Sequence, residues 1–233
     1  MIEAEWWDYD DREEMADAVA GDIAFIIESA LDARGEAIIA IPGGSTPLPI
    51  YQKLADKKLN WKKVTIIPTD DRLVPMTDEA SNVRAIAMAF IKSGARVFPI
   101  TSDIDDYKLA GNSANAKLAD LKFPLDLAWL GMGGDGHTAS IFAGPDLEDA
   151  LNAPNGRHAV GVMPDPLPPE APYPRVTLTR SAILSARTVL ITITGDDKKA
   201  LLEGAIEDGH SSKLPIGRVL AEAEQPIDIH WAA

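Results

Sequence analysis

A glycine-rich segment, GMGGDGHTAS (residues 131–140), places a histidine two residues after an aspartate. Side chains two apart in such a turn can face one crevice, and a carboxylate beside an imidazole fixes its tautomer and stabilises its protonated form. A general base needs this support. We therefore predict that His137 is a catalytic base and that Asp135 supports it. The alternative is a histidine that only shapes the turn; we assign that simpler role to His158, His210 and His230.

The glycines of the same segment also match G-x-G-x-x-G, a pattern typical of dinucleotide binding. That interpretation requires a following helix and a second strand with an acidic residue about 20 positions on. The corresponding region here is a loop around Pro154 and Gly156. The sequence therefore favours a loop that carries catalytic groups over a nucleotide-binding loop.

A second glycine-rich segment, Gly43-Gly44-Ser45-Thr46, lies between an apolar run and a helix start. Glycines let the backbone approach an anion closely, and hydroxyls and free N–H groups at a helix N-terminus supply donors. We predict that these four residues bind phosphate. An ordinary capped turn is the alternative, and no lysine follows the glycines as it would in a Walker A loop.

Charged residues follow two further predicted strands. Asp70, Asp71 and Arg72 come after VTIIP, where a carboxylate could do acid–base work and the arginine could bind an anion. We predict a catalytic role for Asp70 and a phosphate-binding role for Arg72, against the alternative of a solvated charged turn. Arg175, before VTLT, and Lys199, at a helix start, could reach the same place, although each alone could be a surface charge.

The elements that must position these residues alternate along the chain. Apolar runs without polar alternation predict buried strands, and runs with helical spacing predict helices between them. Such a pattern indicates a mainly parallel sheet covered on both faces, whose ligands bind beyond the carboxyl ends of the strands. The stretch 147–174 is rich in Pro, Gly and Asn and is predicted to have little regular structure. The predicted strands are Ala37–Ile41, Val64–Pro68, Leu125–Gly131, VTLT, Arg187–Gly195 and IDIHWA, and the main helices are Asp10–Ala33, SNVRAIAMAFIK, Ile104–Leu121 and DKKALLEGAIE.

Composition narrows the classes of function. The 233 residues are 46% hydrophobic, which fits one α/β domain spanning residues 1–233. There is no cysteine, and the net charge of −14 makes nucleic acid and anionic membranes poor partners. No metal-ligand spacing and no G-x-S-x-G elbow occur, so we expect neither metal nor cofactor. The acidic N-terminus does not resemble a signal peptide, so we expect a cytoplasmic protein, monomer or homodimer.

Taken in order, the segments IPGGSTPLPIYQKL, DDRLVP with SNVRAI, LDLAWLGMGGDGHTASIFAG, PRVTLT and TGDDKKALL resemble the 6-phosphogluconolactonase family. The resemblance runs from about Ala37 to Leu220. It implies hydrolysis of 6-phospho-D-glucono-1,5-lactone to 6-phosphogluconate in the oxidative pentose phosphate pathway. It also implies the three-layer α/β/α sandwich shared with glucosamine-6-phosphate isomerases and ribose-5-phosphate isomerase. His137 then corresponds to the catalytic histidine, and Gly43–Thr46, Arg72, Arg175 and Lys199 to phosphate-binding groups.

Two alternatives remain beside this reading. A glucosamine-6-phosphate isomerase/deaminase resembles the chain at DGH but carries Glu five residues after the histidine, where this chain has Phe142. A non-catalytic sugar-phosphate-binding regulator would keep the phosphate loop and lose the Asp–His pair. One departure from the resembling family is Asp71, where that family usually has Glu.

Overall fold

The computed structural model describes residues 2–233. The strands in this part of the chain are β1 (Ala4–Tyr9), β2 (Ala37–Ile41), β3 (Val64–Pro68), β4 (Asp70–Arg72), β5 (Arg96–Val97), β6 (Leu127–Leu130), β7 (Ala159–Val162), β8 (Arg175–Leu178), β9 (Thr188–Thr194) and β10 (Ile227–Ala232). The α-helices are α1 (Arg12–Arg34), α2 (Pro47–Ala55), α3 (Asn82–Phe90), α4 (Tyr107–Leu118), α5 (Leu147–Leu151), α6 (Arg180–Leu184), α7 (Asp196–Asp208) and α8 (Pro215–Leu220). None of these helices is both long enough and apolar enough to cross a membrane.

Seven strands form one parallel sheet in the order β1-β10-β9-β6-β2-β3-β5. One hydrophobic core lies between one face of the sheet and α1, α2 and α3, and a second lies on the opposite face, where α4 to α8 pack. Strands buried on both faces need continuous apolar sequence, which is why all five residues of β2 are buried. The predicted three-layer α/β/α sandwich is confirmed.

Helix α1 shows how local sequence sets the bounds of an element. Asp11 accepts hydrogen bonds from the backbone N–H groups of Glu13 and Glu14, which caps the first turn. At the other end, Gly35 adopts a left-handed φ of 75° and donates its N–H to the carbonyl of Leu31. The helix therefore stops just before β2 begins, as the sequence predicts.

Three parts of the sequence-based prediction need correction. The stretch 147–174 contains α5 and β7, and the charged loop after β3 contains β4. The N-terminal segment, to which the pattern assigned no element, forms β1 at the edge of the sheet. These strands are short or half-exposed, so they lack the apolar runs that identified the others.

A second, small sheet stands beside the main one. Its order is β4-β8-β7, and both pairings are antiparallel. In the β4–β8 pairing Arg72 lies directly opposite Arg175. Directly opposite residues in an antiparallel pair project from the same face of the sheet. The small sheet therefore brings together two arginines from distant parts of the chain.

His230 is a buried histidine in β10, with 2% of its surface exposed. The hydroxyl of Tyr9 lies 2.8 Å from its Nδ1, and Asp22 of α1 approaches its Nε2 at 3.9 Å. Burial lowers the pKa of His230 to about 4, because the imidazolium would lose its hydration. The sequence analysis assigned no catalytic role to His230.

The His230 pKa predicts how stability depends on pH. An unfolded chain protonates this histidine near pH ~6.5, whereas the folded chain does so only near pH 4. The stabilising contribution is therefore present above pH ~6.5 and is lost as the pH falls towards 4. When the pH is lowered from ~7 to ~5, the unfolding free energy of both proteins should fall. We expect this fall to be about 2 kcal/mol smaller for His230→Gln than for the unsubstituted protein, as measured by urea denaturation. Equal losses in the two proteins would contradict this expectation.

Candidate active site

A cavity of about 220 Å³ opens at the carboxyl ends of the parallel strands. Its walls come from the loops after β2 and β6, from β4 and β8 of the small sheet, and from the first turn of α7. The predicted site residues that line it are Gly43, Gly44, Ser45, Thr46, Asp70, Arg72, His137 and Arg175. Segments scattered through the sequence thus meet in one place.

The imidazole of His137 is hydrogen-bonded to Asp135 through Nδ1. Asp135 Oδ1 lies 2.5 Å from His137 Nδ1 and also accepts the backbone N–H of His137 at 3.2 Å. The hydrogen bond from the imidazole lowers the pKa of the Asp135 carboxyl. With Nδ1 engaged by a carboxylate, Nε2 is the ring nitrogen left to take a proton. Asp135 itself does not line the cavity.

The backbone at Gly133 fits closely against the His137 ring. A Cβ at this position would lie 2.2 Å from His137 Cε1 and 2.3 Å from Nδ1, well inside van der Waals contact. The N–H of Gly133 also donates to the carbonyl of His137 at 2.9 Å, which closes the loop. Glycine is therefore required at Gly133 for the imidazole to occupy this place.

This close approach gives a prediction with a matched control. We expect Gly133→Ala to displace the imidazole and to lower turnover by roughly 10-fold or more, because small misplacements of catalytic groups are costly. Gly134→Ala adds the same methyl group at the adjacent residue, where no atom lies within 4 Å of the new Cβ. This control variant should leave turnover nearly unchanged. Steady-state kinetics of the two variants provide the measurement. Equal activities would show that the ring position does not depend on Gly133.

Phe142 packs against the imidazole. The two rings are stacked with centroids 4.2 Å apart and planes 23° apart, and the guanidinium carbon of Arg175 lies 5.0 Å from the Phe142 centroid. An aromatic ring therefore contacts His137 at the sequence position where an isomerase would carry a carboxylate. Phe142 restricts the tilt of the imidazole and supplies no charge.

Asp70 and its neighbour Asp71 have different surroundings. Asp70 lines the cavity, and its carboxylate accepts hydrogen bonds from the hydroxyl groups of Ser140 at 2.5 Å and Thr69 at 3.2 Å. Asp71 is completely buried and accepts backbone N–H groups at the start of α3, from Asn82 at 2.7 Å among others. Burial raises the pKa of Asp71 to about 6, against the opposing effect of these hydrogen bonds. Asp71 thus secures α3 instead of facing the cavity.

The two arginines of the small sheet supply much of the positive charge. Arg72 donates through Nη1 to the carbonyl of Ala80 at 2.7 Å, and Arg175 through Nη2 to that of Ala171 at 3.0 Å. The Nε atoms of both are buried and have no hydrogen-bond partner within residues 2–233. Burial and the nearby Arg72 charge lower the pKa of Arg175. Two guanidinium cations that line one cavity are suited to bind an anion with several oxygens.

The loop after β2 leaves donors free beside the arginines. Thr46 precedes α2 without capping it through its side chain, and Pro47 occupies the first helical position. A Cβ on Gly43 would meet the Asn82 amide at 2.0 Å, so glycine permits the close contact between the two segments. Asn82 also donates to the carbonyl of Asp70 at 2.8 Å and lines the cavity. The sequence analysis did not identify Asn82 as a site residue.

The structure places the two lysines of the first turn of α7 in different surroundings. Lys199, predicted to bind phosphate, does not line the cavity; its Nζ lies 2.8 Å from Asp8 Oδ1, over the ring of Trp231. The adjacent Lys198 lines the cavity and donates to the carbonyl of Met132 at 2.7 Å. Burial lowers the pKa of Lys198. Two neighbouring lysines on a helix point about 100° apart, so only one of them can face the site.

The sequence pattern of the family described as glucosamine-6-phosphate isomerases/6-phosphogluconolactonase matches residues 10–231. The chain belongs to this family. The matched range includes every residue that lines the cavity, from the loop after β2 to the first turn of α7.

Individual relatives within the family agree. A 6-phosphogluconolactonase of Rhizobium meliloti (strain 1021) is 36% identical over 222 residues, covering 94% of each chain. A crystal structure of a 6-phosphogluconolactonase from Shewanella baltica matches with a TM-score of 0.90 and 32% identity, covering 99% of this chain and 98% of the other. The 6-phosphogluconolactonase of Trypanosoma brucei matches with a TM-score of 0.83 at 25% identity, covering 100% and 97%. The fold is thus the one seen in solved structures of this family.

No group of three or more His, Cys, Asp or Glu side chains in residues 2–233 is arranged to hold a metal ion. The titratable side chains around the cavity are instead a histidine, two arginines, a lysine and an aspartate. They combine one candidate base, His137, with the paired cations Arg72 and Arg175.

Proposed function

We propose that the chain hydrolyses 6-phospho-D-glucono-1,5-lactone to 6-phosphogluconate, the second step of the oxidative pentose phosphate pathway. The observation that carries this proposal is the Asp135-supported His137 in the same cavity as the opposed pair Arg72 and Arg175. A lactone is an activated ester, so one base and one anion-binding end are sufficient. The names of the relatives point to the same substrate.

In the mechanism we infer, His137 Nε2 accepts a proton from water while the water oxygen bonds to C1 of the lactone. Asp135 stabilises the resulting imidazolium. The tetrahedral intermediate then expels the ring oxygen: the C1–O5 bond breaks, and His137 returns its proton to O5. The new carboxylic acid loses its proton to solvent. General-base assistance of this kind typically contributes ~10²–10⁴-fold.

The cationic and N–H groups of the cavity are assigned to the 6-phosphate. Arg72 and Arg175 offer two guanidinium charges, the segment Gly43–Thr46 offers backbone and hydroxyl donors, and Lys198 adds a cation. Binding a group remote from the reacting carbon holds C1 against His137, and so converts binding energy into orientation. We therefore assign to Lys198 the phosphate-binding role that was predicted for Lys199.

Asp70 is assigned a supporting part. Its carboxylate is already occupied by Ser140 and Thr69, and its negative charge favours the protonated form of Arg175. An anionic oxygen facing the cavity can also accept a hydroxyl of the sugar. We propose that it positions substrate and cations while His137 moves the proton.

The isomerase alternative has a weaker basis in this chain. Phe142 occupies the position of the glutamate that an isomerase would use for ring opening, and its ring is stacked on His137. A regulator without turnover would not need an imidazole so tightly oriented by Asp135 and Gly133. No observation within residues 2–233 specifically favours the isomerase or the regulator.

The proposed site also bears on the oligomeric state, the location and the partners of the protein. All the proposed site residues come from one chain, so a monomer or a homodimer would each suffice. We propose that residues 1–233 act as a single domain in the cytoplasm, with the sugar lactone as ligand and with no metal, cofactor, nucleic acid or membrane partner. The net charge of −14 supports the exclusion of polyanionic partners.

An assay with freshly generated lactone tests the proposal. Formation of 6-phosphogluconate is followed by a coupled dehydrogenase, with and without the protein, because the lactone also hydrolyses spontaneously. We expect a protein-dependent rate well above the blank and no conversion of glucosamine 6-phosphate. A rate equal to the blank would overturn the lactonase assignment, and turnover of the amino sugar would favour the isomerase.

A further inference from the structure

The first turn of α7 carries two lysines with separate partners. Helix α7 begins at Asp196 after Gly195, which has no side chain to cap the helix. Asp196 and Asp197 in this turn suit the positive end of the helix dipole, whereas lysines are disfavoured there. Lys198 and Lys199 are therefore stabilised by contacts with other parts of the chain. Each has such contacts, but on different sides of the helix.

Lys199 is enclosed by residues from the two strands at the edge of the sheet. Its Nζ lies 2.8 and 3.0 Å from the two carboxylate oxygens of Asp8 in β1. The same Nζ lies 4.0 Å from the ring centroid of Trp231 in β10 and 5.5 Å from that of Trp6 in β1. A cation over aromatic faces and beside a carboxylate is stabilised by both. We call this group, Lys199 with Trp6, Asp8 and Trp231, the edge clamp.

The edge clamp also holds the backbone from which α7 starts. The indole N–H of Trp231 donates to the carbonyl of Gly195 at 3.1 Å. Trp231 therefore contacts the residue before the helix as well as the side chain of Lys199. The clamp secures the first turn of α7 at two points outside the cavity.

Lys198 projects from this same turn into the cavity. Its Nζ donates to the carbonyl of Met132, in the loop that leads to His137, at 2.7 Å. The position of Lys198 Nζ in the cavity therefore depends on the position of the first turn of α7. The turn has no side-chain cap of its own to fix that position.

We propose that Lys199 is a positioning residue: through the edge clamp it sets where Lys198 Nζ stands in the cavity. The clamp makes the N-terminal strand β1 part of the phosphate-binding apparatus, although no residue of β1 lines the cavity. This inference deepens the proposed function and rests on it for the role of Lys198. It concerns binding of the phosphorylated ligand, not the proton transfer by His137.

The central test is a double-variant cycle in the full-length protein. We expect Lys199→Met to weaken binding of 6-phosphogluconate, measured by calorimetry, and to raise KM by ~5–10-fold, with kcat changed less than ~2-fold. Lys199→Arg keeps the charge and should restore most of the binding. In a Lys198→Met background, Lys199→Met should have little further effect, because residues that act through one another are non-additive. Loss by the same factor in both backgrounds would overturn the proposal.

A second readout does not depend on turnover or on ligand binding. Trace acetylation followed by mass spectrometry reports how freely Lys198 Nζ reacts; we expect labelling to rise severalfold in Lys199→Met and in Asp8→Asn. Unchanged labelling of Lys198 in both variants would refute the clamp. Lys92→Met removes an exposed lysine elsewhere and is the control for loss of one positive charge. If the unsubstituted protein lacked lactonase activity, the proposed function would fail, while this labelling would still decide the clamp.

Discussion

Replacing His137 by glutamine is expected to lower kcat for lactone hydrolysis by about 10³-fold, close to the spontaneous rate at low protein concentration. Glutamine retains a polar side chain of similar length but cannot take a proton from water. The Nδ1 contact with Asp135 at 2.5 Å leaves Nε2 as the ring nitrogen that would take this proton. Because the side chain is only partly buried, we expect the melting temperature to change little.

The measurement must separate enzymatic from spontaneous hydrolysis, so initial rates are taken over a range of protein concentrations. His210→Gln, at an exposed histidine distant from the cavity, is the matched control and should retain full activity. Asp135→Asn should give an intermediate loss, because the imidazole keeps its place but loses the anion that supports its charge. Full activity in His137→Gln would remove the histidine from the mechanism.

Replacing Arg72 by methionine is expected to raise KM for the lactone by about 10²-fold, with a smaller change in kcat. Methionine keeps part of the apolar length but removes the charge and the unpartnered Nε. Hydrogen bonds between a guanidinium and an anion are among the strongest in proteins, and loss of one such group typically removes ~2–3 kcal/mol. Removal of binding that substrate and transition state share appears mainly in KM.

Initial rates at several lactone concentrations distinguish the two parameters. Arg84→Met, on α3 but outside the cavity lining, is the control for loss of an arginine. Inorganic phosphate should inhibit the unsubstituted protein competitively and the Arg72 variant much less. If KM were unchanged, the phosphate would have to lie elsewhere than beside Arg72.

Much of the fold could be predicted because its central strands are buried on both faces. The bounds of β2, β3 and β10 in the structure are those the apolar runs predict. Strand β1 lacks such a run because it lies at the sheet edge, and its residues are half-exposed on both faces. Strand β4 consists of charged residues and pairs with β8, a partner distant in sequence, and β7 has only four residues. No local pattern therefore identifies either strand.

The site was accessible to sequence reasoning for a related reason: parallel strands deliver their following loops to one edge. Where the prediction named a loop, the structure places that loop at the cavity. The prediction named Lys199, whereas the structure places Lys198 at the cavity. The two residues are adjacent and of one type, and only the folded chain shows that Lys198 contacts Met132 while Lys199 contacts Asp8. The roles of Asp70 and Asp71 differ similarly, because only the folded chain shows which carboxylate caps α3.

The pairing of β4 with β8 has a consequence for which sequence changes this protein can tolerate. Arg72 and Arg175 face each other through backbone register, not through side-chain contacts between them. A shift of one residue in a strand turns its side chains to the opposite face. Loss or gain of a single residue within β4 would therefore separate the two guanidinium groups even with both arginines present. Length, more than composition, is the property of these short strands that must stay constant.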